Sequence, residues 1–284
     1  MLRRARWLAE APRRTPWAQD STVAGRGGAF RVAWLRRLPV RGALPLVRLR
    51  GILVRIHWVY LAWIVLRLAD AGRGWEEEFL LQGILLGSVF LHELGHCAAA
   101  RSVGGEAREI VLWPLGGLAK LRTPPRPGAE WATAAAGPGV NLLLALIGFA
   151  VFAAAQRAPG VPLHPLSDDP AVTVLRALVF ANGLLFLLNV LPAFPLDGGK
   201  LLRAGLWALP GVGWRGATLA TSGLSMALGL GLTLVAPWFS LRWALSLVFL
   251  GGLVVFFSAR EFQRARATPD PAHPGDDLMP HERR

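Results

Sequence analysis

Polar positions gather at the two ends of the chain and in short interruptions, and between them lie six long apolar runs. They fall at about 54–69, 79–101, 130–155, 171–191, 216–236 and 241–258. A helix needs about 20 apolar residues to cross the ~30 Å hydrocarbon core of a bilayer, so each run is predicted to be a transmembrane helix. The last two runs are separated by little more than Pro237 and Trp238, which predicts a tight hairpin. Between the second and third runs the pattern changes. Residues 110–121 are apolar and β-prone but interrupted by Pro114 and by Gly116-Gly117, which fits a short β-like hairpin or edge segment, or else an interfacial loop. The predicted fold class is therefore an all-α polytopic membrane protein of six transmembrane helices, with a β-like segment between the second and third.

Composition agrees with this class, at 53% hydrophobic residues, 17% charged and a mean hydropathy of +0.41. The net charge of +13 would ordinarily raise nucleic acid as a partner. Its distribution argues instead for membrane orientation and for no nucleic-acid partner. With a cytoplasmic N-terminus, Arg67, Arg73, Arg157, Arg176 and Arg242 fall outside, and the other 26 of the 31 Lys and Arg fall inside. The positive-inside rule then predicts both termini in the cytoplasm of a multi-pass inner-membrane protein. Glu76, Glu77 and Glu78 lie at the outer side, where acids are neutral to the rule.

Three regions follow. Residues 1–50 hold twelve arginines against Glu10 and Asp20, with no apolar core like that of a secretory signal. They share an Arg-rich character with organellar transit peptides, but a flexible cytoplasmic arm near anionic lipid is the expected reading. Residues 51–258 form the membrane domain, and the Pro-containing, charged tail of 259–284 is expected to be disordered. His273 and His281 in that tail receive no role. One cysteine, Cys97, excludes an intrachain disulfide framework and is expected to be a packing residue.

The chemistry concentrates in the second run, at Leu91-His92-Glu93-Leu94-Gly95-His96. On a helix, His92 and His96 share one face a turn apart, a spacing that lets two imidazoles hold one divalent cation such as Zn²⁺. Glu93, about 100° around the helix, lies near enough to reach a water on the metal without being a ligand. Ionisable groups in a membrane-length helix are costly and need a partner or a task. Zinc lowers the pKa of a bound water to about 7, and the carboxylate can take that proton and pass it to a leaving amine. A third ligand is needed. Asp197, in the turn Pro195-Leu196-Asp197-Gly198-Gly199-Lys200 after the fourth run, lies at the same predicted membrane side as His96. It is equally suited to cap a short helix over 200–209.

These motifs, in this order, resemble the site-2 protease family of intramembrane zinc metalloproteases (peptidase M50-like), in its shorter bacterial and archaeal type. The matching stretches are His92-Glu93-Leu94-Gly95-His96, Leu196-Asp197-Gly198-Gly199, Ala136-Gly137-Pro138-Gly139-Val140-Asn141, and Asn182 with Asn189. Val54-Arg55-Ile56-His57-Trp58 and Pro114-Leu115-Gly116-Gly117 are also similar. The resemblance spans residues 50–258. Lys200 stands where relatives commonly carry Arg, and the first 45–50 residues fall outside it. It implies a zinc endopeptidase with one Zn²⁺ per chain, ligated by His92, His96 and Asp197, with Glu93 as general base. The implied substrate is a peptide bond within or near the transmembrane segment of another membrane protein, cut in regulated intramembrane proteolysis.

By the same resemblance Asn141 is a candidate to orient substrate or an oxyanion, with helix–helix hydrogen bonding as its alternative. Asn182 and Asn189 are expected to orient the Asp197 turn or join helices, and His57 is expected to be interfacial. Two rival functions are distinguishable. A membrane zinc peptidase of the kind that trims prenylated proteins would be expected to take a downstream Glu as third ligand, yet beyond residue 130 the only glutamates are Glu261 and Glu282. A metal-binding scaffold or transporter would have no need of Glu93.

Overall fold

The computed structural model describes residues 42–69, 74–114, 116–157 and 170–268. Most of the expected arm and tail (1–41 and 269–284) lie outside the described residues. In chain order the elements are β1 (Ala43–Leu49), β2 (Ile52–His57), α1 (Trp58–Ala69), α2 (Trp75–Ser102), β3 (Glu106–Trp113) and β4 (Gly116–Arg122). There follow α3 (Pro127–Gln156), α4 (Pro170–Val190), α5 (Asp197–Trp207), α6 (Trp214–Val235) and α7 (Leu241–Ala267), with a 3₁₀ turn over Ala236–Trp238.

Among the described residues five helices, α2, α3, α4, α6 and α7, are long and apolar enough to cross a membrane. They carry broad exposed apolar faces, such as Leu143, Leu146 and Phe149 on α3 or Phe180 and Leu187 on α4. A water-facing surface would not tolerate such belts, and hydrocarbon does. Helices are the natural solution there because every backbone donor is satisfied within the segment.

The first expected span is corrected. Residues 52–57 are a strand and only 58–69 are helical, so the 12-residue α1 is about 18 Å long at 1.5 Å per residue, short of the hydrocarbon thickness. The reason lies in the local pattern: Ile52, Val54 and Ile56 are buried while Leu53, Arg55 and His57 are less so, an alternation of period two.

The β-like segment is also larger than a lone hairpin. β3 and β4 pair antiparallel between Glu106–Arg122 and Trp113–Gly116, and β3 pairs in parallel with β2 from Leu53–Glu109 to Ile56–Leu112. β1 pairs antiparallel with β2, giving a four-stranded sheet in the order β1-β2-β3-β4. The parallel pair is connected by the α1–α2 helical hairpin, the type of crossover parallel strands require. At the far end of that hairpin Arg67 grips buried Glu78 by two bonds of 2.9 and 3.2 Å, and Gln82 donates to the same carboxylate at 2.8 Å. β1 takes up residues 43–49 of the stretch read as arm, and α7 continues nine residues beyond the expected end of the last span.

One core lies where a face of the sheet meets α2. Ile52, Val54, Ile56, Ile110 and Leu112 pack there with Tyr60 and Cys97, so the sheet seats α2 directly beside its histidines. A second joins Trp207 of α5, Trp214 and Ala217 of α6 and Ala265 of α7. Arg203 of α5 adds polar links: Nε donates to Glu130 of α3 at 2.6 Å, and the guanidinium lies 3.8 Å from Glu261 of α7. It also stacks over Phe194 and Trp214 at 5.3 and 5.4 Å. By these contacts the helix bearing Asp197 is tied to three neighbours.

Candidate metal centre

Ser88, His92 and His96 follow one another at four-residue spacing on α2, and this face is turned inward. Opposite them stands Asp197, the first residue of α5. Its Oδ2 lies 3.2 Å from His92 Nε2 and 3.0 Å from His96 Nε2, and the two Nε2 atoms are 3.0 Å apart. All three side chains are buried. Asp197 does not cap α5. The cap position is Leu196, with no side-chain bond to the helix, and the helix starts at 197 rather than 200.

The proton positions follow from the hydrogen-bond chain. The Leu178 carbonyl accepts from Asn182 Nδ2 at 2.9 Å, which fixes that amide's orientation. Asn182 Oδ1 then accepts from Asn141 Nδ2 at 2.8 Å, so Asn141 Oδ1 must face His92 Nδ1, 2.6 Å away. An oxygen there can only accept, so Nδ1 carries the His92 proton and Nε2 is bare. His96 reaches the same state by another route, its Nδ1 donating to the Thr133 carbonyl at 2.7 Å.

Two bare imidazole nitrogens and a carboxylate oxygen therefore converge within about 3 Å with no proton among them. Burial alone would push the Asp197 carboxyl up. The Lys200 ammonium is the largest of the influences that outweigh it and hold the group well below the usual carboxylate range. Three acceptors so placed repel one another unless a cation stands between them. The donor set fits zinc: two nitrogens and one oxygen, whose bonds of ~2.0–2.2 Å in tetrahedral array would set ligand atoms about 3.3 Å apart. The group is able to hold one metal ion, and zinc is the ion its chemistry suits. The protons on Nδ1 are held by neighbours, as is general for histidines that bind metals.

Two glycines allow the surrounding backbone to close in. A Cβ at Gly137 of α3 would run into the His96 and His92 rings. A Cβ at Gly117 of β4 would strike the Glu93 carboxylate, so the edge strand passes directly against that buried acid. Glu93 lies outside the three-residue group, beside it on α2.

The remaining expectations sort by contact. Both ends of the Asn141 amide are engaged, by His92 and by Asn182, which makes it a support of the His92 ring. Asn182 joins α3 to α2 through Ser88 Oγ, 2.9 Å away, and does not touch the Asp197 turn. Asn189 donates to the Leu185 carbonyl of its own helix. His57 ends β2 and accepts from the Val59 N–H. Cys97 is buried in the core between α2 and the sheet.

Sequence reasoning passed over several residues. Ser88 was visible, one turn before His92 on the same face. Thr133 acts through its backbone carbonyl and leaves no side-chain signal. Ser225 of α6 accepts from the Phe194 N–H at 3.2 Å and Ser258 of α7 faces the Phe194 carbonyl at 3.5 Å, steadying the turn before Asp197. Nothing in their own segments marks them for that task.

Fold and site together define a membrane-embedded chain with a buried two-histidine, one-aspartate group for a single metal ion. Residues 81–164 match the model of peptidase family M50. The zinc metalloprotease MJ0392 of Methanocaldococcus jannaschii is 30% identical over 78% of this chain and 61% of its own length. Rip3 of Mycobacterium tuberculosis, also named a zinc metalloprotease, is 33% identical over 59% of this chain and 44% of its own, so the chain spans under half of that relative. Among solved structures, the site-2 protease from Methanocaldococcus jannaschii superposes with a TM-score of 0.52 at 27% identity, covering 78% of this chain and 95% of that one. These findings support the site-2 protease family as the one this chain is similar to.

Proposed function

We propose that the protein is a zinc-dependent intramembrane endopeptidase that cuts a peptide bond within or near the transmembrane segment of another membrane protein. The observation that carries this reading is the convergence of His92 Nε2, His96 Nε2 and Asp197 Oδ2 beside the buried carboxylate of Glu93. When bound, zinc supplies Lewis acidity at that point.

His92, His96 and Asp197 hold the ion, and Asn141 and the Thr133 carbonyl keep the two imidazoles in the ligating tautomer. Glu93 is the general base: its carboxylate accepts a proton from the attacking water and delivers it to the departing amine nitrogen. A helical substrate hides its peptide bonds, so it must unwind locally before the site can reach them, which favours substrates with helix-weakening residues. Among the described residues β4 is an edge strand of the sheet, and beside Glu93 it offers such an extended segment a partner by strand addition.

The proposed setting is the bacterial-type inner membrane with both termini cytoplasmic. The parallel pairing of β2 with β3 fits this topology in one respect, since it sets the segment before α1 on the same side as the segment after α2. A prenyl-protein peptidase lacks support, since the third member of the metal group is Asp197 rather than a glutamate. The test is cleavage of helical substrates in reconstituted vesicles. Wild type should release fragments and Glu93→Gln should release none; comparing membrane fragments from cells carrying each would name the substrates. Equal cleavage by both proteins would refute the proposal.

A further inference from the structure

The two oxygens of Asp197 are divided between different partners. Oδ2 faces both imidazoles, at 3.0 and 3.2 Å, whereas Oδ1 accepts from Lys200 Nζ at 2.8 Å. Lys200 sits one turn along α5, so the helix itself places the two side chains as neighbours. The carboxylate is buried, while the lysine side chain is 44% exposed and reaches in from the rim.

We infer that Lys200 is a positioning residue that keeps Asp197 a one-oxygen ligand and so preserves the fourth position of the metal for water. The inference rests on the zinc-site reading above. A carboxylate can bind a metal through one oxygen or both, and for Asp197 the choice depends on what else holds Oδ1. An ammonium group at 2.8 Å makes a charge-assisted bond, about twice as strong as a neutral one. Without it, a small rotation about the Asp197 side chain would bring Oδ1 towards the same centre as Oδ2. A site with three protein ligands hydrolyses because its last position is open to water, and a two-oxygen Asp197 would add a fifth donor atom that crowds that water. Lysine suits the task as a single point charge on a flexible stem, and arginine at the same place would also supply a charged donor.

Cobalt(II) provides the readout, because its visible absorption is much stronger in four-coordinate than in five-coordinate sites. The full chain in detergent would be loaded with Co²⁺ as wild type, Lys200→Met, Lys200→Arg and Asp197→Ala, with thermal melting to confirm folding. Wild type and Lys200→Arg should show the strong four-coordinate spectrum. Lys200→Met should bind one cobalt per chain with a weakened spectrum, and with zinc its kcat should fall about 10- to 100-fold at little change in KM. A Lys200→Met spectrum equal to wild type would overturn the inference, and so would loss of cobalt from that variant, since a freed carboxylate should bind at least as readily. If Asp197→Ala leaves the wild-type spectrum unchanged, the metal site itself is misassigned, a failure separate from that of Lys200.

Discussion

His92 can serve as a ligand only while its Nε2 carries no proton, and the group that secures this is a neutral amide, Asn141, itself held by Asn182. Asn141→Ala should therefore weaken zinc binding about 10- to 100-fold, as removal of a partner behind a ligating histidine generally does, measured by competition with a chelator. A sharper comparison lies two residues apart on α3. Gly137→Ala should abolish zinc binding because its methyl group meets both imidazoles, whereas Gly139→Ala, with nothing within 4 Å, should bind as wild type does. Equal zinc content in the two variants would mean that α3 does not close over the histidines as described. The two histidines were legible in the sequence because H-E-x-x-H carries its own geometry, whereas Asp197 was named as third ligand only through its predicted membrane side and the family resemblance. The carbonyl of Thr133 was not legible, since any residue presents the same backbone oxygen.

Among the elements, α5 is the one on which the site depends most, because it carries Asp197 into a place built by α2 and α3. Arg203 holds it there between Glu130 and Glu261, and all three side chains are largely shielded, at 14%, 15% and 26% exposed. Arg203→Ala should cost about 3 kcal/mol, the low end for breaking a buried pair, because it takes from Glu130 its cation at 2.6 Å, while Glu261 keeps Arg264 at 2.8 Å. The check is a fall in the thermal midpoint of the detergent-solubilised protein, and an unchanged midpoint would contradict the tie between α5, α3 and α7. The long helices were legible from hydropathy alone. The sheet was legible only in part. Alternation over residues 52–57 was a strand signal, submerged in a run whose overall apolarity resembles a span. The parallel partner of β2 lies beyond two intervening helices, and no local pattern announces a pairing at that distance.

For the whole molecule, the expectation is that the basic N-terminal stretch can be removed without disturbing the metal site. β1 begins at Ala43, so deleting residues 1–41 should leave zinc binding and cleavage in detergent intact. Any loss on anionic vesicles should diminish with salt, each Arg near the surface contributing about 1 kcal/mol. Loss of zinc from the truncated protein would place that stretch within the catalytic fold. The distribution of Lys and Arg predicts the topology, and cysteine labels introduced at Glu77 should react only from the outer side. The most direct test of the account is the metal content and peptide cleavage of three purified proteins. Wild type should carry one zinc per chain and cleave, Glu93→Gln should carry one zinc and not cleave, and His92→Ala should carry none. Equal zinc in wild type and His92→Ala would contradict it.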